Sequence, residues 1–163
     1  MIVYIEEHYC VPNLELSLTN TVQVWRRAAS VLEREEEPKS DKIAQVYTSL
    51  CGMVSAAGHT PHRLREALDL CDRAVSTRSD LPDVHNMRGA VLTKMGRHKE
   101  AQLAFERALR RDPQNANTMF NLALAYQNLS DVAVAMEILQ WVLAIDHTHQ
   151  LAKDQLRKLG SAH

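Results

Sequence analysis

The stretch Met95–Asp146, MGRHKEAQLAFERALRRDPQNANTMFNLALAYQNLSDVAVAMEILQWVLAID, says nearly the same thing twice. Ala101, Ala104, Phe105, Ala108 and Leu109 fall at i, i+3, i+4, i+7 and i+8, one apolar stripe of an α-helix. The half before it, from Pro82, is helical too. Gly96 stands where that first helix should stop, because a residue without Cβ enters the left-handed conformation that ends helices. A slide of 34 residues takes Gly89 to Ala123, Leu92 to Tyr126, Ala101 to Ala135, Phe105 to Leu139 and Ala108 to Val142, so each size class is approximately kept. The pattern predicts a repeating hairpin of two short antiparallel helices, restarted at Pro113.

An earlier, damaged copy lies upstream. LREALDLCDRAVSTRSDLP puts Ala67, Cys71 and Ala74 in the second-helix slots, and the first helix fits as Tyr47, Leu50, Cys51 and Val54. From Val54 to Ala67 the numbering advances by 13 (67 − 54), against nine from Tyr126 to Ala135 (135 − 126). The four extra residues are expected in a longer turn around AAGHTPHR, with Gly58 and Pro61 as punctuation, bulging the inner edge. Before it, LSLTNTVQVWRRAASVLEREEEPKSD reads as a helix through about Glu36, closed by Pro38, either a lid or the remnant of a lost repeat. After Asp146, Leu151, Leu156 and Leu159 mark a last helix with one wet face, which a stacked array needs to seal its final seam. The expected organisation is residues 1–40 with one helix, 41–79 a degenerate repeat with a long turn, 80–113 and 114–147 two clear repeats, and 148–163 a capping helix. The abrupt apolar start and an unpaired first helix also fit a fragment of a longer protein.

These residues resemble the tetratricopeptide repeat (TPR), in which a small residue follows a large one in the first helix, a large apolar residue comes three later, and a small–large–small trio marks the second. The resemblance implies an all-α, right-handed α-solenoid of about three stacked hairpins, with an N-terminal helix and a C-terminal capping helix. Close packing explains the spacing: Gly89, Ala123, Ala101 and Ala135 let helices approach, and Phe105 and Leu139 fill the seam between hairpins.

Composition agrees with an all-α chain. In 163 residues there are only five Gly and five Pro, too few for the turns of an all-β protein. A net charge of −1 gives no broad attraction to nucleic acid or an anionic membrane, and neither is expected as a partner. The cationic groups Arg107, Arg110, Arg111 and Lys153, Arg157, Lys158 read as solvated helix faces. Cys10, Cys51 and Cys71 are an odd number at irregular spacing, which argues for reduced thiols and a cytoplasmic location. The sequon Asn128-Leu129-Ser130 is discounted on the same ground, since MIVYIEEHYC has neither the basic flank nor the apolar run of a secretory signal.

No catalytic constellation emerges, and the chain is expected not to be an enzyme and to need neither metal nor cofactor. His147 and His149, two apart, would point to different faces of a helix, with no third ligand in view. His59 and His62 lack the surroundings of a cysteine–histidine nucleophile, and Cys51 and Cys71 read as packing residues. The acidic run Glu33, Glu35, Glu36, Glu37 lacks the alternating oxygens and central Gly of a calcium loop. Trp25 and Trp141 read as seam fillers.

What remains is the concave face, where the resemblance implies that the first helices of each pair bind an extended or helical peptide of a protein partner. Some members of the family clamp the acidic C-terminus of heat-shock chaperones with lysines, asparagines and an arginine. The matching slots here hold Thr48, Gly52, Met87, Asn117 and Asn121. No cation stands there, and a carboxylate would lose its hydration without charge-assisted hydrogen bonds, each worth about 1.5–3 kcal/mol. The expected groove residues are Asn86, Thr93, Asn117, Phe120, Leu124, Gln127 and Asn128, with Phe120 and Leu124 as apolar anchors among amides. Two other readings stay open: an accessory or fragment domain of a larger enzyme such as a methyltransferase, hydroxylase or transferase, and self-association through the imperfect first repeat or the N-terminal helix.

Overall fold

The computed structural model describes residues 14–33, 40–57 and 60–161. Among these, eight helices and no strands follow one another: α1 (Leu14–Leu32), α2 (Ser40–Ala56), α3 (Pro61–Thr77), α4 (Pro82–Lys94), α5 (His98–Leu109), α6 (Ala116–Asn128), α7 (Val132–Ile145) and α8 (Gln150–Gly160). Each helix packs on the next along the chain. In addition α2 touches α4 and α4 touches α6, whereas α3, α5 and α7 make no comparable approach to one another. The shorter spacing on the side of α2, α4 and α6 makes that side the inner, concave one. The result is an α-solenoid of stacked hairpins, α2/α3, α4/α5 and α6/α7, with α1 at one end and α8 at the other. No described helix is long and apolar enough to cross a membrane.

Small residues set how closely the rods lie. A Cβ added to Gly89 on α4 would fall 2.5 Å from Cε1 and 2.7 Å from Cδ1 of Phe105 on α5, so the ring lies directly on the glycine backbone. Phe105 is buried with Leu92, Ala101, Ala104, Leu122 and Ala125, joining α4, α5 and α6 in one cluster. The clusters on either side hold Leu50, Cys51, Ala67, Cys71 and Ala74, and Ala123, Ala135, Leu139, Val142, Ala152 and Leu159. The positions related by 34 residues, Ala101 with Ala135 and Phe105 with Leu139, are all buried in equivalent places.

The period is visible in the turns as well. Gly96, at φ +73°, donates to the Thr93 carbonyl at 3.0 Å and Arg97 to that of Leu92 at 2.9 Å, satisfying the last carbonyls of α4. One repeat later Ser130 donates to Gln127 at 3.0 Å and Asp131 to Tyr126 at 3.0 Å, the same pair of bonds, now with Ser130 at φ +66°. A side chain thus occupies a left-handed position where the sister turn has glycine. Asp131 then starts α7, accepting from the Val134 amide, as Asn115 starts α6 by accepting from that of Thr118 at 2.9 Å.

Several expectations change. The extra residues of the first hairpin lengthen its helices rather than its turn: α2 and α3 have 17 residues each, against 13 and 12 in α4 and α5. Pro61, pre-set for the first helical turn and preceded by Thr60 accepting from the Arg63 amide, lets α3 begin early. The N-terminal helix is described as far as Leu32; the expected end near Glu36 and Pro38 falls in residues 34–39, outside the described set, as do residues 1–13 with Cys10. Trp25 packs on the first core cluster, but Trp141 is 60% exposed on the outer face of α7 and fills no seam. Most consequentially, Cys51 and Cys71 are not free thiols: they form a disulfide between α2 and α3, with Cα atoms 5.6 Å apart. Their places in facing helices of one hairpin bring them together, which irregular spacing along the chain conceals.

Phe105→Ala should cost roughly 3–5 kcal/mol in denaturant unfolding, because it empties a site shared by three helices. Gly89→Ala should also destabilise, since the ring it meets is fixed on all sides. Ser130→Gly should instead stabilise by about 1 kcal/mol, the cost of a Cβ in the left-handed region. An unchanged unfolding midpoint in Phe105→Ala would contradict the packing, and a lowered one in Ser130→Gly the turn.

Candidate functional site

The concave face is built from α2, α4, α6 and the start of α8. The structure distributes the seven expected groove residues unevenly along it. Asn117 and Asn128 are exposed at the two ends of α6. Asn86 is tied to the neighbouring helix, accepting from Nδ2 of Asn121 at 3.3 Å, and the Thr93 hydroxyl is turned back onto the Gly89 carbonyl at 3.0 Å. Gln127 accepts a bond from Gln155 of α8. Phe120 and Leu124 are half-buried, and the Phe120 ring lies 5.1 Å from that of His149, tilted by 37°. Of the two intended anchors, Phe120 is therefore partly covered at the start of the capping helix.

His149 itself acquires a role the sequence did not reveal. Its Nδ1 accepts from the Ala152 amide at 3.2 Å and so caps the N-terminus of α8. Histidine two residues after His147 thus serves as a helix cap and as a lid on Phe120, which fixes α8 against α6. Among the described residues no group of three or more His, Cys, Asp or Glu side chains converges in a way that would hold a metal ion. His59 lies outside the described residues, and the sulfur of Cys51 is bonded to Cys71.

The open part of the groove lies further toward the N-terminus. Between α2 and α4 a hollow of about 390 Å³ is lined by Gln45, Thr48, Ser49, Leu81, Asp83 and Val84. Thr48 stands in a slot that the resemblance marks as groove-facing, but the hollow it borders follows from the separation of two helices and leaves no mark in sequence. At the C-terminal ends of the same two helices the Lys94 ammonium donates to the Ser55 carbonyl at 3.0 Å and to Ser55 Oγ at 2.9 Å. At the slots where a carboxylate clamp would stand, Gly52 faces Met87, a Cβ there falling 3.3 Å from its Cε, and the Thr48 hydroxyl is spent on the Ala44 carbonyl at 2.7 Å. Around the hollow itself the surface offered to a partner is amides and hydroxyls with one carboxylate, Asp83, and the Lys94 ammonium stands at the other end of these helices.

Two further hollows lie off this face. One of about 400 Å³ between α1, α2 and α3 is lined by Arg26, Glu33, Tyr47, Glu66, Asp69 and Arg73, among others. Its charges are paired, Arg26 with Glu66 and Arg73 with Asp69 at 3.1 Å. Burial and the Glu33 carboxylate that accepts a hydrogen bond from its hydroxyl push the Tyr47 phenol upward, away from ionisation near neutrality. The other, about 260 Å³, is lined from α5, α6 and α7 and includes Leu109, Met119, Leu122 and Trp141.

Comparison with known proteins agrees with this geometry. Sequence profiles described as tetratricopeptide repeat match residues 82–115 and 104–137. The chain is similar to protein O-mannosyl-transferase TMTC3, at 35% identity over 86 residues in Mus musculus, 53% of this chain and 9% of that protein. In Homo sapiens the identity is 32% over 108 residues, 66% of this chain and 12% of that protein. The match thus spans about a tenth of the length of these curated relatives. Among solved structures, the fold is similar to that of MamA, with a TM-score of 0.75 at 11% identity, over 93% of this chain and 85% of that one. It is also similar to the first TPR domain of Spaghetti (RPAP3), solved bound to the HSP90 peptide SRMEEVD, with a TM-score of 0.67 at 16% identity, over 73% and 91% of the two chains. With the 34-residue period expressed alike in side-chain packing and in turn hydrogen bonds, residues 82–137 are tetratricopeptide repeats, set in a chain whose fold is that of such a solenoid.

Proposed function

We propose that this chain is a non-catalytic interaction module that holds an extended segment of a protein partner along the face of α2, α4 and α6. The observation that carries the reading is the groove itself: a concave wall whose open portion, around Gln45, Thr48, Ser49 and Asp83, presents polar groups beside the apolar floor of Leu81 and Val84. Such a surface matches a peptide backbone, which needs donors and acceptors, with one apolar side chain set into the hollow. Asn117, exposed at the start of α6, extends the polar wall toward Phe120 and Leu124, the second apolar contact.

The partner is not a tail ending in clustered carboxylates. The RPAP3 domain of similar fold was solved with a peptide of that kind, but in this chain Asp83 adds a negative charge and the clamp slots hold no cation. A carboxylate brought here would meet repulsion as well as desolvation. Binding through neutral or basic segments follows, and nucleic acid and membrane are disfavoured by the net charge of −1.

A second reading is favoured by one specific observation: both curated relatives are named as protein O-mannosyl-transferases, and this chain matches only about a tenth of each. On that reading the groove presents protein substrates to a transferase, either within a longer chain or as a separate subunit. Self-association through the exposed outer face of α7, where Trp141 stands, is a third, tested by light scattering. The expectation of a cytoplasmic location stands on unpaired cysteines, and the Cys51–Cys71 bond removes that ground.

Proximity labelling in cells, followed by titration of the enriched partner against the purified chain, tests the module. Phe120→Ala with Leu124→Ala should weaken binding about tenfold, the loss of about 1.4 kcal/mol usual for one interface anchor. Thr48→Arg, which projects a long side chain into the α2/α4 hollow, should abolish it. Equal affinity in both variants, with unchanged helicity, would place the partner elsewhere on the molecule.

A further inference from the structure

We propose that Asn128 is an acceptor of an N-linked oligosaccharide, and that the chain folds in an oxidising compartment where that transfer occurs. Two independent observations at opposite ends of the solenoid carry this. The first is the disulfide. Cys51 and Cys71 lie on facing helices with 0% and 1% exposure and form a bond that persists where thiols are oxidised, in extracellular space, the lumen of the endoplasmic reticulum or a periplasm, and is rare where glutathione keeps them reduced. Its formation removes two protons and two electrons from the thiols and delivers them to a protein disulfide donor, by thiol–disulfide exchange.

The second observation is the setting of Asn128-Leu129-Ser130, the only Asn-x-Ser/Thr triplet in the sequence. Asn128 is the last residue of α6 and is exposed, as are Leu129 and Ser130. Its carboxamide has no hydrogen-bond partner among the described residues, unlike those of Asn86, Asn115 and Asn121, which are engaged with neighbouring side chains or amides. An attached sugar would displace no contact. The chain then turns sharply at Ser130, in the left-handed conformation, so the triplet lies on a projecting corner rather than along a helix face. In the sister turn this corner is Gly96, the residue best suited to it; at 130 the chain carries a hydroxyl instead, the group the acceptor triplet requires two residues after the asparagine.

In the transfer, the amide nitrogen of Asn128 forms a bond to the anomeric carbon of an oligosaccharide borne on a lipid pyrophosphate. The anomeric carbon–oxygen bond breaks, the pyrophosphate leaves with its electron pair, and the amide gives up one proton. The modified corner is 11 residues along α6 from Asn117, about 16 Å at 1.5 Å per residue, so the N-terminal part of the groove stays open. The glycan would stand at the edge of the solenoid where helices α6 and α7 turn.

The test uses the full chain as its own cells make it, captured after thiols are blocked at lysis. Digestion with peptide N-glycosidase F should increase its electrophoretic mobility in one step and convert residue 128 from Asn to Asp, read by mass spectrometry, with Cys51 and Cys71 recovered as one cross-linked peptide pair. Asn128→Gln and Ser130→Gly should each abolish the mobility step completely. Ser130→Gly suits the turn better than serine does, so loss of the step in that variant cannot come from misfolding. An unmodified Asn128 in the captured chain overturns the proposal, and so does recovery of Cys51 and Cys71 as blocked thiols.

Discussion

The whole array depends on one contact, the face of the Phe105 ring laid on the backbone of Gly89. Nothing larger than hydrogen fits between them, since a Cβ would fall 2.5 Å from the ring. That closeness sets the spacing of α4 and α5, and the same ring is buried in one cluster with Leu122 and Ala125 of α6. One aromatic side chain therefore fixes both a hairpin and the seam to its neighbour. Because each hairpin touches only the next, stability propagates from this central seam outward and is shared through the stack.

The two flanking hairpins solve the same packing problem by other means. In α6/α7 the pair becomes Ala123 and Leu139, smaller on one side and aliphatic on the other, and the seam is completed by Ala152 and Leu159 of α8. In α2/α3 the large seam position is Cys71, too short to fill the space Phe105 fills, and a covalent bond to Cys51 holds the helices at 5.6 Å between Cα atoms. A disulfide closing a loop of about 20 residues contributes roughly 3 kcal/mol by restricting the unfolded chain, comparable to the burial that an aromatic residue would have supplied. The weakest repeat by sequence is thus the one that is stapled.

Curvature follows from the same small residues. The inner helices α2, α4 and α6 touch each other, and their contact surfaces carry the groove. At one end that groove is closed by His149, which caps α8 and covers Phe120; at the other the α2/α4 hollow remains open. A neutral, amide-rich wall of this kind favours backbone recognition over charge, and it contrasts with the paired charges that line the hollow between α1, α2 and α3.

The sequence by itself determined the helices, their 34-residue period and most of the buried positions, because apolar spacing, a glycine stop at Gly96 and a proline start at Pro82 are local signals. The concave side came from the resemblance to tetratricopeptide repeats, and registering the chain on that pattern put Asn117 and Asn128 on the first helix of their pair, where both are exposed. Only the tertiary structure decided the rest. Whether Phe120 is free depended on where α8 lands, whether Cys51 and Cys71 meet depended on the crossing of α2 and α3, and the α2/α4 hollow exists only as the space between two helices. These are distances between segments far apart along the chain, and periodicity within a segment carries no information about them.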